Sequence, residues 1–259
     1  GNDPARTRST GEYNLAAGTT ALDAVTTGDK NTGVGYNALT ALTTGSWNTA
    51  VGHEAGKAMT TGADNTAFGL SAGAGITTGT RNIAIGGVAL DAADSENDNL
   101  AIGYAALGGA IAGGEKNGAI GDYSLDATTS GDENVSVGYN SLTANTTGSY
   151  NTASGTYSMR YNTTGDGNTA SGYRSLTANT TGDNNTASGR ESLYSNTTGH
   201  ANTAYGYNSL YANTTGTRNI AIGYRAYDAA DTENDNLAIG CDALGGANAG
   251  GEYNVAIGN

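Results

Sequence analysis

Asn202 to Arg218 reads NTAYGYNSLYANTTGTR, and at Asn219 the pattern begins again. Working outward, Asn recurs at Asn14, Asn31, Asn48, Asn65, Asn82, Asn99, Asn117, Asn134, Asn151, Asn168, Asn185, Asn202, Asn219, Asn236 and Asn254. The spacing is 17, slipping to 18 only after Asn99 and Asn236. Four residues later each repeat has a glycine, among them Gly35, Gly52, Gly69, Gly155 and Gly172. Eight residues after the Asn stands a leucine, except where Gly56, Gly73, Met159 or Tyr227 takes its place. The consensus unit is N-T-A-x-G-Y-x-S-L-x-x-N-T-T-G-x-x. A fixed short period of this kind is the mark of a repeat architecture in which each unit contacts only its neighbours.

A longer period lies above it. RNIAIG at 81–86 returns at 218–223, DAADSENDNLAIG at 91–103 returns as DAADTENDNLAIG at 228–240, and AGGEKNGAIG returns as AGGEYNVAIG, each displaced by 137 residues. Residues 81–122 thus match 218–259, and the chain reads as one repetitive segment, 1–259, built on an eight-unit block. It starts and stops inside repeat units and has no initiator Met, so it is expected to be cut from a longer array.

A 17-residue unit is too short for a helix pair, whereas NTAVG, NIAIG and NLAIG alternate as strands do. The expected fold is all-β, a β-solenoid (β-roll or β-helix) of about fifteen 17-residue coils. Two short strands per coil are expected, over Asn-x-Ala-x-Gly and around the Ser/Ala-Leu pair, with turns at Gly-Tyr and Thr-Thr-Gly. The repeated glycine suits a corner that needs positive φ or close approach of the next coil. The repeated Asn suits a side-chain ladder, with Asn31, Asn48, Asn65, Asn151 and Asn168 each bonding to its neighbours about 4.8 Å away. Fifteen coils at that spacing make a rod of roughly 70 Å.

The 259 residues contain 42 Gly, 1 Pro, 1 Cys and only 37% hydrophobic residues, against the usual 45–50%. A large aliphatic core is therefore excluded. Disorder is countered by a charged fraction of only 14% and by the repeat itself. A net charge of −13 argues against nucleic acid or an anionic membrane as partner, and no apolar run has the length of a membrane span. Cys241 stands alone, so no intrachain disulfide forms.

At the first and third positions after the Asn, some coils carry Ile83 and Ile85, Leu100 and Ile102, or Ile220 and Ile222. Others carry Thr152 and Ser154, Thr169 and Ser171, or Thr186 and Ser188. If these positions face inward, the coils bury little at about 25 cal/mol per Å². Association of chains side by side would supply the missing area, and a parallel homotrimer is expected.

NTAYGYNSL at 202–210 followed by NTTG at 213–216 resembles the NTAxGYxAL arrays of phage and viral tail-fibre proteins. The NxAIG and NTAxG strands also resemble the head repeats of trimeric autotransporter adhesins, which are left-handed β-rolls. The first resemblance covers essentially the whole chain. It implies a structural or adhesive protein, the shaft or head segment of a trimeric fibre that mediates host or surface attachment. The implied partners are further copies of the chain and a cell-surface glycan or protein receptor. The implied place is extracellular, on a virion tail fibre or a cell surface. A self-assembling extracellular filament, glycosylated or bare, is the alternative. An ice-binding solenoid fits less well, because the adjacent Thr-Thr residues point to opposite sides.

Three features invite chemistry. Asp91, Asp94, Glu96, Asp98 and Asp228, Asp231, Glu233, Asp235 replace the Thr-Thr-Gly corner, and carboxylates so spaced are candidate Ca²⁺ ligands. A solvated acidic loop accounts for the same residues. Asn145, Asn162, Asn179, Asn196 and Asn213 stand in Asn-Thr-Thr, a glycosylation sequon on five successive coils that is equally good corner chemistry. Tyr36, Tyr104, Tyr139, Tyr173, Tyr207 and Tyr224 follow the fixed glycine and could form an exposed column. No nucleophile elbow, phosphate loop or HExxH is present, so no catalysis and no cofactor other than Ca²⁺ is expected.

Overall fold

The computed structural model describes residues 10–109, 113–229, 231–246 and 251–259; parts of the eight-unit block, at 110–112, 230 and 247–250, lie outside them. The chain is an all-β parallel solenoid that divides into two compact units, Gly1–Ser130 and Gly131–Asn259. The first carries β1 (Leu15–Ala17), β2 (Thr32–Val34), β3 (Thr49–Val51), β4 (Thr66–Phe68), β5 (Ile83–Ile85), β6 (Leu100–Ile102) and β7 (Gly118–Ile120). The second carries β8 (Val135–Val137), β9 (Thr152–Ser154), β10 (Thr169–Ser171), β11 (Thr186–Ser188), β12 (Thr203–Tyr205), β13 (Ile220–Ile222), β14 (Leu237–Ile239) and β15 (Val255–Ile257). Within each unit every strand pairs in parallel with the next at the equivalent repeat position, as in Thr49↔Thr66 and Thr169↔Thr186.

Among the described residues each coil has one strand. The expected second strand around Ser/Ala-Leu is a turn. Its leucine lies in the left-handed region, as do two further non-glycine residues per coil; in one coil these are Lys30 (φ 57), Asn37 (φ 54) and Leu39 (φ 50). Such a conformation costs roughly 1–2 kcal/mol per residue. It persists because hydrogen bonds between coils hold it: Lys30 N–H donates to Glu12 O at 2.9 Å, and Leu39 N–H to Ala55 O at 3.0 Å.

The glycine corner meets both conditions that the sequence suggested. Gly35 has φ +134, and a Cβ on it would lie 2.3 Å from the Gly52 carbonyl oxygen of the next coil. The Asn ladder is also present. Asn48 donates its backbone N–H to Asn31 Oδ1 at 2.9 Å and its side-chain Nδ2 to the same oxygen at 3.1 Å and to Gly62 O at 2.8 Å. The contact repeats at Asn65, Asn151 and Asn168. These amides are buried, so each donor and acceptor that they satisfy would otherwise cost about 1–3 kcal/mol.

The strands face the other way from expectation. From β2 to β14 the central residue of each strand points inward, an alanine such as Ala50, Ala84, Ala170 or Ala221 except for Gly33 and Ser136, and the residues on either side of it point out. Ile83, Ile85, Ile220 and Ile222 are therefore exposed and Leu100 and Ile102 partly so, while Thr152, Ser154, Thr169, Ser171 and Thr186 are exposed and Ser188 partly so. The physical reason is the leucine on the far side of the coil. At Gly33, which replaces the alanine, even an added Cβ would meet Leu22 Cγ at 3.1 Å. The lumen is narrow there, holding an alanine methyl or, at Ser136, a hydroxymethyl group.

Beside the Asn ladder, the interior holds that alanine, the leucine, the Ala or Ser before the leucine and one further residue three positions after it. In the first unit this last residue is Val25, Leu42, Met59, Ile76, Ala93 or Thr128, all buried. Where the leucine is missing, the neighbour fills its space: a Cβ on Gly56 would touch Met59 Cε at 3.5 Å, and one on Gly73 would touch Ile76 Cδ1 at 3.1 Å. In the second unit Tyr227 takes the leucine position and is fully buried. Burial, reinforced by Glu233, pushes its phenol up to about 12. A raised phenol pKa favours the fold while it stays neutral, and this stability is lost as pH rises from about 10, where the unfolded chain ionises, through about 12. Tyr227→Phe should remove an alkaline loss of about 2–3 kcal/mol between those limits. Urea midpoints of wild type and variant at pH 8 and pH 11.5 check this, and parallel pH profiles would refute it.

Candidate functional site

Because the triplets alternate out-in-out, each strand contributes two outward side chains, and pairing in register stacks them into columns. In the second unit one column runs Ile220, Leu237, Val255 and its neighbour Ile222, Ile239, Ile257. In the first, Ile83 stands beside Leu100, and Ile85, Ile102 and Ile120 follow one another. Ile83, Ile85, Ile120, Ile220 and Ile222 are 37–40% exposed, Leu100, Ile102, Leu237 and Ile239 partly so, and Val255 and Ile257 of the last strand 68% and 73%, all above a core aliphatic residue. Between such patches the face turns polar: Thr152, Thr169, Thr186 and Thr203 form one column, and Ser154, Ser171 and Ser188 the other. The pattern V-x-V, T-A-S three times, T-A-Y, I-A-I, L-A-I, V-A-I is thus a mosaic of apolar and hydroxyl blocks on one flat parallel face.

A second surface follows the glycine corner. Tyr36 stacks on His53 with ring centroids 5.1 Å apart, and Tyr104 meets Tyr123 edge-on at 5.5 Å. In the second unit Tyr139, Tyr157 and Tyr173 meet in turn, and Tyr207 stacks on Tyr224 at 5.3 Å. Arg174 lies over Tyr157 and Tyr173, and Arg190 over Tyr173 and Tyr207. The tyrosines at the corner are exposed, but their ring faces are largely occupied by one another and by guanidinium groups.

The acidic turns hold themselves together. Glu96 is buried, and its carboxylate accepts hydrogen bonds from the backbone N–H of Asp94 (2.7 Å), Ser95 (3.0 Å) and Gly113 (3.0 Å). Glu233 does the same for Asp231 (3.0 Å) and Thr232 (3.1 Å). Asp98 makes a two-point ion pair with Arg81, at 2.6 and 2.8 Å, and Asp235 repeats it with Arg218. Those hydrogen bonds hold both carboxyls below the usual range. Asp94 accepts from the Thr77 hydroxyl, Asp231 from Thr214, and Asp228 from Arg225 at 2.7 Å. Burial, with Asp126 nearby, pushes the Asp91 carboxyl up. Seven of the eight candidate Ca²⁺ ligands therefore turn to separate partners, and no group of three or more His, Cys, Asp or Glu converges among the described residues.

The five sequon asparagines lie inside the coil. Asn145, Asn162, Asn179, Asn196 and Asn213 are buried and form a second amide ladder, in which Asn162 Nδ2 donates to Asn145 Oδ1 at 2.8 Å and to Gly165 O at 3.0 Å. The atom that would carry a sugar is thus enclosed and bonded. In the closed coil these five residues serve the corner role that the triplet equally offered. Sequence reasoning found the triplet but not its direction, for which the absence of charge beside all five was the available signal.

Among the described residues no helix is long and apolar enough to cross a membrane, and Cys241 is exposed. Set against known proteins, the chain matches no family model and no curated protein.

Proposed function

We propose that this chain is a segment of a structural and adhesive fibre in which parallel copies associate through their strand faces, as a homotrimer, outside the cell on a viral tail fibre or a cell surface. The observation that carries the reading is the outward-facing aliphatic mosaic. Columns such as Ile220, Leu237 and Val255 stay partly to largely exposed, at 39% for Ile220 and 68% for Val255, and apolar surface gathered in this way marks a contact. The resemblance of NTAYGYNSL and NTTG to tail-fibre arrays supports the same role. A surface glycan or protein is the fitting target of such a fibre.

A self-assembling extracellular filament is the second reading, favoured by recurrence of the eight-unit block, down to the Arg81–Asp98 pair returning as Arg218–Asp235. Native mass measured across a concentration series distinguishes the two. A fixed mass of three chains is expected, open-ended growth would favour the filament, and a stable monomer at every concentration would overturn both.

A further inference from the structure

We infer that the mosaic on the strand face sets the axial register in which a second copy of this chain docks. This inference rests on the side-by-side association proposed above. In the second unit the outward pairs run, from β8 to β15, Val/Val, Thr/Ser three times, Thr/Tyr, Ile/Ile, Leu/Ile and Val/Ile. A parallel copy in register sets hydroxyl against hydroxyl and aliphatic against aliphatic on all eight strands. A slip of three coils instead places Ile220 and Ile222 over Thr169 and Ser171, leaving aliphatic side chains against hydroxyls that have no bonding partner there. An antiparallel copy aligned end to end matches β15 with Val135 and Val137 of β8 but sets β13 over β10 and β14 over β9, where aliphatic side chains again meet hydroxyls.

Repetition makes such a device necessary. The backbone offers the same surface every coil, about 4.8 Å apart, so hydrogen bonding and shape alone give no preference among slips. On the strand face it is the outward residues that differ from coil to coil. The first unit places Ile83, Ile85, Leu100, Ile102 and Ile120 at the corresponding points of the 137-residue block, so the order is written twice in the chain. Five or six partly exposed aliphatic side chains amount to on the order of 400 Å² per patch, in the range of surface patches that serve as contacts.

The test compares the wild type with a variant whose β13–β15 carry the outward pair of β9–β11: Ile220→Thr, Ile222→Ser, Leu237→Thr, Ile239→Ser, Val255→Thr and Ile257→Ser. Since that pair already stands on three coils of the same fold, circular dichroism should show the solenoid retained. Each chain also carries Cys241→Ser and a spin label at Ser171→Cys, and distances between copies are read by pulsed electron resonance. The wild type should give one short inter-chain distance. The variant should associate at least tenfold more weakly, and its remaining oligomers should show distances spread in steps of about 4.8 Å per coil. A monomeric wild type would overturn this inference together with the association on which it rests. A wild-type oligomer with spread distances, or a variant that keeps both affinity and the single distance, would overturn the register role alone and leave association standing.

Discussion

Gly206→Ala should be among the most damaging single substitutions in the chain, lowering stability by about 4 kcal/mol, at the extreme of what point changes do. Gly206 has φ +133, a conformation that side chains with a Cβ rarely adopt and that costs about 1–3 kcal/mol when they are held there. A Cβ would also sit 2.3 Å from Gly223 O and 2.7 Å from Gly223 C. Both are backbone atoms of the next coil, fixed by Gly223 N–H donating to Tyr205 O at 2.7 Å, so the methyl group can be admitted only by parting the coils. Gly118→Ala is the control. Its Cβ would point outward with nothing within 4 Å, and the change should stay within about 0.5 kcal/mol of wild type. Equal shifts in the urea midpoints of the two variants would show that the corner is not what fixes the stack.

The corner and the first Asn ladder were legible in the sequence because each depends on a single residue type recurring without exception. Gly35 and Asn48 could be assigned a role from period and chemistry alone. The facing of the strands was not legible. A triplet such as Ile83-Ala84-Ile85 alternates equally well in either phase, and hydrophobicity favours the wrong one. What decides is the width of the lumen, set by Leu22 or Leu39 across the coil, and that width is a property of the closed backbone. The left-handed leucines were hidden for a related reason. Nothing in a leucine announces positive φ, and its conformation is imposed by bonds to residues 16 and 17 positions away, such as Leu39 N–H to Ala55 O. The acidic turns were read as a candidate Ca²⁺ site or a solvated loop, whereas Glu96 is a buried acceptor for three backbone amides beside the 18-residue coil. Its signal was present: Glu96 and Glu233 stand where thirteen other repeats have glycine, each one coil before the lengthened spacing.

The Asn ladder makes a prediction that depends on pH. Asn168 donates Nδ2 to Asn151 Oδ1 at 3.1 Å and to Gly182 O at 2.8 Å, while its own Oδ1 accepts from Asn185 N–H at 2.9 Å and Asn185 Nδ2 at 3.1 Å. Asn168→Ala strands Asn185 N–H in the interior and leaves Gly182 O with Asn179 Nδ2 alone, at 2.9 Å; with the ladder bonds also lost it should cost about 2–4 kcal/mol at any pH. Asn168→Asp keeps the shape but replaces the donor with an oxygen that faces two acceptors. A carboxylate there is repelled, whereas a protonated carboxyl can donate to one of them, so its pKa in the fold is raised above the unfolded value of about 3.9. The sign follows from proton uptake. With more protons bound in the folded state than in the unfolded, the variant should be most stable below pH 4 and lose stability steadily as the pH climbs through its raised folded value. The difference from Asn168→Ala should therefore narrow or reverse between pH 3 and pH 7. A variant carrying Asn168→Asp that unfolds at the wild-type urea midpoint at pH 7 would mean that the amide ladder does not hold the coils together.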